Sequence, residues 1–215
     1  MMKDSYLHKG LRKKLVEIVG NKGISDQRVL EALNTVPRHR FMDSSFVKFS
    51  YSDQAFPIGA GQTISQPFTV AFQTQLLELK ARDKVLEVGT GSGYQTAVLL
   101  ELGARVFTIE RQRELFLKSQ AILSELGYKA RFFYGDGYKG VPSYAPFDRI
   151  LVTAGAPGVP EELFSQLAIG GTMVIPVGGS AGQKMIKIVK EDETNFTRTE
   201  HGSFAFVPLL KGKSG

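Results

Sequence analysis

The sequence predicts an α/β fold with a doubly wound, mostly parallel seven-stranded sheet that ends in antiparallel strands. From residue 84 onward, short apolar segments alternate with segments of helical periodicity, which is typical of parallel strands joined by helical crossovers. The first apolar segment breaks into a glycine-rich turn. After Pro176 no helix fits between the last two strand-like segments, so we expect antiparallel pairing there. One domain is predicted over 1–215, with a helical and irregular covering segment over 1–66 and the α/β core over 67–215.

The first predicted helix spans residues 5–20. Its compact basic run, Arg12-Lys13-Lys14, is interpreted as a charged outer face. The net charge of +6 raises the question of nucleic-acid binding, but the other basic residues are scattered, so we expect no nucleic-acid partner. The apolar positions expected to face the core are Leu7, Leu11, Leu15 and Ile18.

A second helix is predicted from Ser25 to about Asn34, because serine is a good N-cap and Pro37 ends the pattern. Ile24 and Val29 are placed as a hydrophobic staple around that cap. Residues 38–66 look irregular, yet they hold enough aromatic surface to pack as an ordered cover. Those aromatic residues are Phe41, Phe46, Phe49, Tyr51 and Phe56.

Composition narrows the class of protein. The chain has 215 residues, 42% of them hydrophobic and 22% charged, which is ordinary for a globular protein. It has no cysteine, which excludes disulfides and thiolate catalysis. No segment approaches the roughly 18 apolar residues of a membrane span, and the N-terminus lacks the apolar core of a signal peptide. We therefore expect a cytoplasmic monomer with no membrane partner.

The core is predicted to begin with a helix at Pro67, a residue suited to the first helical turn. Asp148 opens the fourth core strand, far from its carboxyl end, and is interpreted as structural. Helices are expected over 93–102, 111–126 and 160–168. Strands are expected over 84–88, 105–109, 130–134, 148–153, 172–177, 185–189 and 203–207.

The glycine-rich turn is the most informative motif. Its glycines remove side chains where backbone must approach a ligand closely. Glu87, just before the turn, argues against a phosphate ligand, because a carboxylate repels an anion. A carboxylate there suits a ligand with an ammonium group. The spacing G-x-G-x-G also differs from that of dinucleotide sites, and S-adenosylmethionine fits better. The turn comprises Gly89, Thr90, Gly91, Ser92 and Gly93.

Two further acids follow later strands. Glu110 lies 21 positions after Gly89 and is predicted to bind ribose hydroxyls, the alternative being that it caps the helix over 111–126. Asp136, followed by Gly137, is predicted to accept a hydrogen bond from the adenine amine. Alone, that pair would indicate only a turn. In register with the first two sites, at the end of a parallel strand, it favours a ligand.

The segment 57–67 joins the irregular region to the helix at Pro67. Gln62, Thr63 and Ser65 supply donors beside a helix N-terminus, a combination that can bind a carboxylate. The alternative is that Ser65 only caps the helix, and pattern alone favours the cap.

Hydrolase and metal chemistry are not predicted. A nucleophilic serine needs an adjacent base, and no histidine can be placed beside Ser65. His39 is interpreted as a packed or surface residue. The three histidines, His8, His39 and His201, are not clustered in sequence, so no metal site is expected.

Together these residues resemble the bacterial-type protein-L-isoaspartate O-methyltransferase family, over nearly the whole chain. The glycine turn marks only the broad methyltransferase class with a Rossmann-like fold, whereas the Gly-Gln-Thr-Ile-Ser-Gln-Pro segment is specific. The other matching segments are 36–41, 86–94, 135–137, 147–153, 170–178 and 206–209.

The resemblance implies S-adenosylmethionine as cofactor, S-adenosylhomocysteine as product and isoaspartyl peptides and proteins as substrates. It aligns the active-site serine with Ser65, which is also expected to contact substrate together with Phe206, Val207 and Pro208. The implied cofactor contacts are Ile58, Gln62, Thr63, Ser65, Glu87, Gly89, Thr90, Gly91, Ser92, Gly93, Glu110, Asp136 and Gly137.

The implied chemistry needs no general base, because an α-carboxylate with a pKa of roughly 3.5 is already ionised at neutral pH. Ser65 would orient it, and the methyl ester would later cyclise to a succinimide without enzymatic help. Two other readings stay open. One is a methyltransferase acting on RNA or a small molecule, and the other is a cofactor-binding regulatory module without catalysis.

Overall fold

A computed structural model describes residues 4–179 and 181–214. The covering segment contains helices α1 (Tyr6–Asn21) and α2 (Gln27–Thr35), short 3-10 helices over Arg38–Phe41 and Ser44–Phe49, and a hairpin of β1 (Phe56–Gly59) and β2 (Gln62–Ile64). It is therefore more regular than the sequence predicted. The core runs α3 (Pro67–Leu76), β3 (Lys84–Val88), α4 (Tyr94–Glu101), β4 (Arg105–Glu110), α5 (Arg113–Glu125), β5 (Arg131–Tyr134), a 3-10 turn over Pro142–Tyr144, β6 (Phe147–Val152), α6 (Glu161–Ser165), β7 (Leu167–Gly179), β8 (Gly182–Lys190) and β9 (Phe196–Phe204).

The core strands form one seven-stranded sheet in the order β5-β4-β3-β6-β7-β8-β9. Pairing is parallel from β5 to β7 and antiparallel between β7, β8 and β9. The predicted fold class is confirmed. The chain winds outward from β3 in both directions, so a crevice lies beyond the carboxyl ends of β3 and β6, where open α/β sheets bind ligands.

Several element boundaries differ from the prediction, most of all those of the last strand and of α6. The last strand is β9, not 203–207: its side chains are mostly exposed at the sheet edge, so it lacks the apolar pattern that marks a buried strand. Residues after β9 leave the sheet, and Val207 O accepts from Gly155 N at 2.8 Å. Helix α6 is shorter than 160–168 because Leu167 already begins β7, which pairs with β6 there.

The orientation predicted for α1 is wrong at three of its four apolar positions, although Leu15 is buried as predicted. Leu7, Leu11 and Ile18 are exposed, whereas Arg12, on the expected outer face, is 5% exposed. Its guanidinium donates to the Asn34 carbonyl, to Tyr51 Oη and to both carboxylate oxygens of Asp4. This polar network turns the arginine inward together with Leu15 and Val19. Hydrophobic periodicity could not predict a buried arginine.

The N-cap of α2 is Asp26, not Ser25. The Asp26 carboxylate accepts from Arg28 N at 3.0 Å. Ser25 instead uses its backbone N–H to bind Gln75 Oε1 of α3 at 2.7 Å. Ser and Asp cap helices about equally well, so a tertiary contact decides between the two neighbours.

In the described residues, no helix is both long and apolar enough to cross a membrane.

Candidate active site

A cavity lies beyond the carboxyl ends of β3 and β4, between the glycine turn and the β1–β2 hairpin. It contains about 780 Å³ of empty space, open solvent included. Most of the predicted site residues meet here. Those on its wall are Gln62, Thr63, Ser65, Gly89, Thr90, Gly91, Ser92, Glu110, Gly137, Val207 and Pro208.

The glycine turn needs the absence of a side chain at Gly89. Its φ is +96°, and a Cβ there would lie 2.5 Å from Thr153 Oγ1. The Thr153 hydroxyl in turn lies 2.7 Å from the Gly89 carbonyl and 3.0 Å from that of Val88, to either of which it can donate. The turn is thus held by the residue that follows β6, and both Thr153 and the turn line the cavity.

Glu110 fixes the other side of the turn. Its Oε2 accepts from Gly91 N at 2.9 Å, and its Oε1 accepts from Gln112 N, at the start of α5, at 2.8 Å. The helix-cap alternative is therefore partly right. Glu110 also lines the cavity, and each carboxylate oxygen has a second lone pair. It can bind two hydroxyls while it holds the turn.

Glu87 lies beneath the turn and is fully buried. It is not on the cavity wall. One carboxylate oxygen accepts from Thr96 Oγ1, and the other has no hydrogen-bond partner among the described residues. Burial raises the pKa of Glu87 to about 7. The structure thus brings Glu87 next to the turn but gives it no direct access to the ammonium group for which it was proposed.

Four other predicted residues are also absent from this wall: Ile58, Gly93, Asp136 and Phe206. Asp136 accepts from Tyr138 N and Gly212 N at 2.9 and 2.8 Å, so it ties the C-terminal residues to the loop after β5. Ile58 is buried, with its Cδ1 3.6 Å from a Cβ built on Gly91. These two side chains support the cavity from outside. Phe206 belongs to a second cavity.

The second cavity adjoins the first and lies between α3 and the residues that follow β9. Both cavities are lined by Thr63, Ser65, Thr153 and Val207, so Ser65 lies where the two meet. Among the described residues around the second cavity, none is a histidine, and none has a carboxylate or an amine in its side chain. They are Ala55, Thr63, Ser65, Gln66, Phe68, Thr69, Thr153, Ser203, Phe204, Ala205, Phe206 and Val207.

Ser65 does not cap α3. Gln66 is the N-cap residue and forms no side-chain cap hydrogen bond. The Phe68 N–H, in the first turn, instead donates to Asp53 Oδ1 at 2.8 Å. The pattern-based prediction that Ser65 caps α3 is thus wrong, because the Asp53 carboxylate from the covering segment takes that role. The Ser65 hydroxyl is left at the junction of the cavities.

Two of the three histidines, His8 and His39, lie together, contrary to the prediction, whereas His201 is on β9. His8 and His39 stack at 3.9 Å between ring centroids, and Asp4 lies close enough that all three could offer atoms to one ion. However, Arg12 already binds both oxygens of Asp4, and stacked rings do not converge their lone pairs on one point. His39 is packed, as predicted, with its Nδ1 2.7 Å from Tyr51 Oη. It lines neither cavity.

A model of the protein-L-isoaspartate(D-aspartate) O-methyltransferase (PCMT) family matches residues 10–214. The chain belongs to this family. The resemblance carried by the sequence motifs is therefore confirmed.

Relatives and solved structures in the family align along almost all of this chain. A protein-L-isoaspartate O-methyltransferase from Christiangramia forsetii is 58% identical over 214 residues, which are 99% of this chain and 100% of that protein. A solved protein-L-isoaspartate O-methyltransferase superimposes with a TM-score of 0.83 at 30% identity, covering 92% of this chain and 65% of the other. A PCMT from Plasmodium falciparum, in complex with S-adenosyl-L-homocysteine, gives 0.82 at 25% identity, covering 94% and 99%.

Sequence reasoning missed several residues of this PCMT-family site, among them Tyr94, Gln95 and Thr153. Thr153 lines both cavities and holds Gly89. It directly follows β6, so the rule that ligands bind at carboxyl ends of strands could have found it. Asp53 caps α3 from 15 residues away. No local pattern marks that contact, since it depends on how the covering segment folds back.

Proposed function

We propose that this chain transfers a methyl group from S-adenosylmethionine to the free α-carboxylate of L-isoaspartyl residues in damaged peptides and proteins, which initiates repair through a succinimide. Family membership and the full-length relatives support the reaction. The observation that carries the proposal is the position of Ser65. Ser65 lines both cavities, and it does not cap α3 because Asp53 accepts the hydrogen bond from the first helical turn.

We assign the cofactor to the first cavity. The glycine turn forms part of its wall, and Gly89 must lack a side chain there because a Cβ would collide with Thr153. Glu110 keeps free lone pairs for ribose hydroxyls. When bound, S-adenosylmethionine supplies an electrophilic methyl group on a sulfonium sulfur. The solved Plasmodium falciparum relative, in complex with S-adenosyl-L-homocysteine, supports the same class of ligand here.

We assign the isoaspartyl carboxylate to the junction between the cavities. Its pKa of roughly 3.5 leaves it ionised at neutral pH, which agrees with the lack of a base among the described residues of the second cavity. The Ser65 hydroxyl would donate to one carboxylate oxygen and hold the other free to react. Orientation of this kind, without proton transfer, supplies a large part of the barrier reduction in bimolecular reactions.

The test offers S-adenosylmethionine labelled in its methyl group to paired peptides, one with isoaspartate and one with normal aspartate. We expect base-labile label on the isoaspartyl peptide alone. Label on RNA or on a small molecule instead would favour the alternative methyltransferase. Cofactor binding without transfer to any peptide would favour a regulatory module.

We also propose that the chain is a single-domain, cytoplasmic monomer that acts without nucleic acid. One apolar cluster joins Leu15 and Val29 of the covering segment to Val70 and Val98 of the core, which supports a single domain. Light scattering at working concentration would test the monomer, and a salt titration with RNA would test the absence of nucleic-acid binding. Cell fractionation would test the location.

A further inference from the structure

Asp53 accepts hydrogen bonds from three donors in two parts of the chain, the end of α1 and the start of α3. It lies between the second 3-10 helix and β1, and its side chain is 7% exposed. Its Oδ1 accepts from Phe68 N at 2.8 Å. Its Oδ2 accepts from Gln66 Nε2 at 3.0 Å and from Lys22 Nζ at 2.6 Å. Two of these donors belong to Gln66 and Phe68, the residues on either side of Pro67. Asp53 therefore fixes the backbone that directly follows Ser65.

The start of α3 explains why an outside carboxylate is needed there. Pro67, the first helical residue, has no N–H, so Phe68 carries the first backbone donor. An unsatisfied donor at a helix start recruits a nearby side-chain oxygen. Ser65 and Gln66 are the nearest candidates in sequence. With Asp53 in that place, the Phe68 N–H does not need the Ser65 hydroxyl.

We propose that Asp53 is a positioning residue for methyl transfer, which caps α3 from the covering segment and thereby holds the Ser65 hydroxyl at the junction of the two cavities. This inference rests on the proposed function. Asp53 lines neither cavity, so it acts through the Ser65–Gln66 turn and not through contact with either ligand. Lys22 neutralises its charge, which keeps an unpaired anion away from a site that must accept a carboxylate.

The experiment measures kcat on the isoaspartyl peptide and the calorimetric affinity for S-adenosylhomocysteine. Asp53→Ala is expected to lower kcat about tenfold or more, because small displacements of a positioning group are costly. The affinity for the nucleoside should stay within about twofold, since the glycine turn is untouched. Asp53→Asn should recover most of kcat, because its amide oxygen can still accept from Phe68 N. The matched control is Asp26→Ala, which removes the carboxylate that caps α2 in the same covering segment, lies outside both cavities and should leave kcat within about twofold of the unmodified chain.

A double-mutant cycle separates positioning from simple stability. If Asp53 acts through Ser65, then Asp53→Ala should change kcat by less than about twofold in a Ser65→Ala background. Equal losses in both backgrounds would overturn the inference, as would a normal kcat in Asp53→Ala. If that variant does not fold, Asp53→Ser replaces it in the cycle, because its shorter side chain no longer reaches Phe68. Failure of the unmodified chain to methylate the peptide would instead overturn the proposed function.

Discussion

The cofactor half and the substrate half of this site are built in different ways. The cofactor half is made mainly of turns at the ends of β3, β4 and β5, and contacts between neighbouring strand ends fix it. A side chain on Gly89 would collide with Thr153 after β6, and the Glu110 carboxylate accepts from the glycine turn. The substrate half is assembled from distant segments, namely the covering segment, the start of α3 and the residues after β9. The first half therefore follows from the order of the parallel strands, whereas the second depends on how the covering segment and the residues after β9 pack against α3.

The largest effect is expected in the cofactor half. Gly89→Ala should lower the affinity for S-adenosylhomocysteine by about 100-fold or more, because the new Cβ would lie 2.5 Å from Thr153 Oγ1 at a φ of +96°. Calorimetry would measure it. Gly158→Ala is the matched control, since nothing lies within 4 Å of a Cβ there. An unchanged affinity in Gly89→Ala would break the claim that the turn is fixed by local sterics.

The next effect is expected in the substrate half. Ser65→Ala should lower kcat on the isoaspartyl peptide by about 10- to 100-fold while the affinity for the nucleoside changes by less than about threefold, because Ser65 orients the carboxylate. Steady-state kinetics and calorimetry together give the two values. Ser124→Ala, on the exposed side of α5, is the control. Equal losses in both quantities would show that Ser65 serves the cofactor and that the two halves are not separate.

The difference between the two halves also explains which site residues could be predicted from the sequence. The glycine turn, Glu110 and Gly137 could be predicted because parallel strands bring their carboxyl ends to one edge and spacing along the chain marks them. The cap of α3 could not, because Ser65 suits the role and nothing in sequence shows that Asp53 will reach it first. Arg12 is a second case: its burial depends on Asp4, Asn34 and Tyr51, which only the fold brings together. Glu87 was placed in the right neighbourhood, but its burial beneath the turn was not predictable from spacing.

A smaller effect tests the double role of Glu110. Glu110→Gln should weaken S-adenosylmethionine binding by about tenfold, because one of its two acceptor oxygens becomes a donor group that faces a backbone N–H. Glu110→Ala should weaken it further. Calorimetry measures both, with Glu161→Gln on α6 as the control for a surface carboxylate. If affinity were unchanged in Glu110→Ala, the ribose assignment would be wrong, and Glu110 would only support the start of α5.

The smallest effect concerns Glu87, which lies under the cofactor half and does not contact either cavity. Burial raises its pKa to about 7 in the folded chain, above the usual value near 4.5 of the unfolded chain. Between those values the folded state holds a proton that the unfolded state has lost, so the stabilising contribution is complete below pH 4.5 and falls as the pH rises toward 7. Between pH 5.5 and 6.5, the free energy of unfolding should therefore fall by about 1 kcal/mol more in the unmodified chain than in Glu87→Gln. Urea unfolding of both chains at each pH measures this difference, and the titration of other groups, His39 included, cancels in the comparison. Equal slopes would mean that Glu87 stays ionised in the folded chain, with a cation or solvent beside it, and would return it to the cavity as a candidate for the ammonium group.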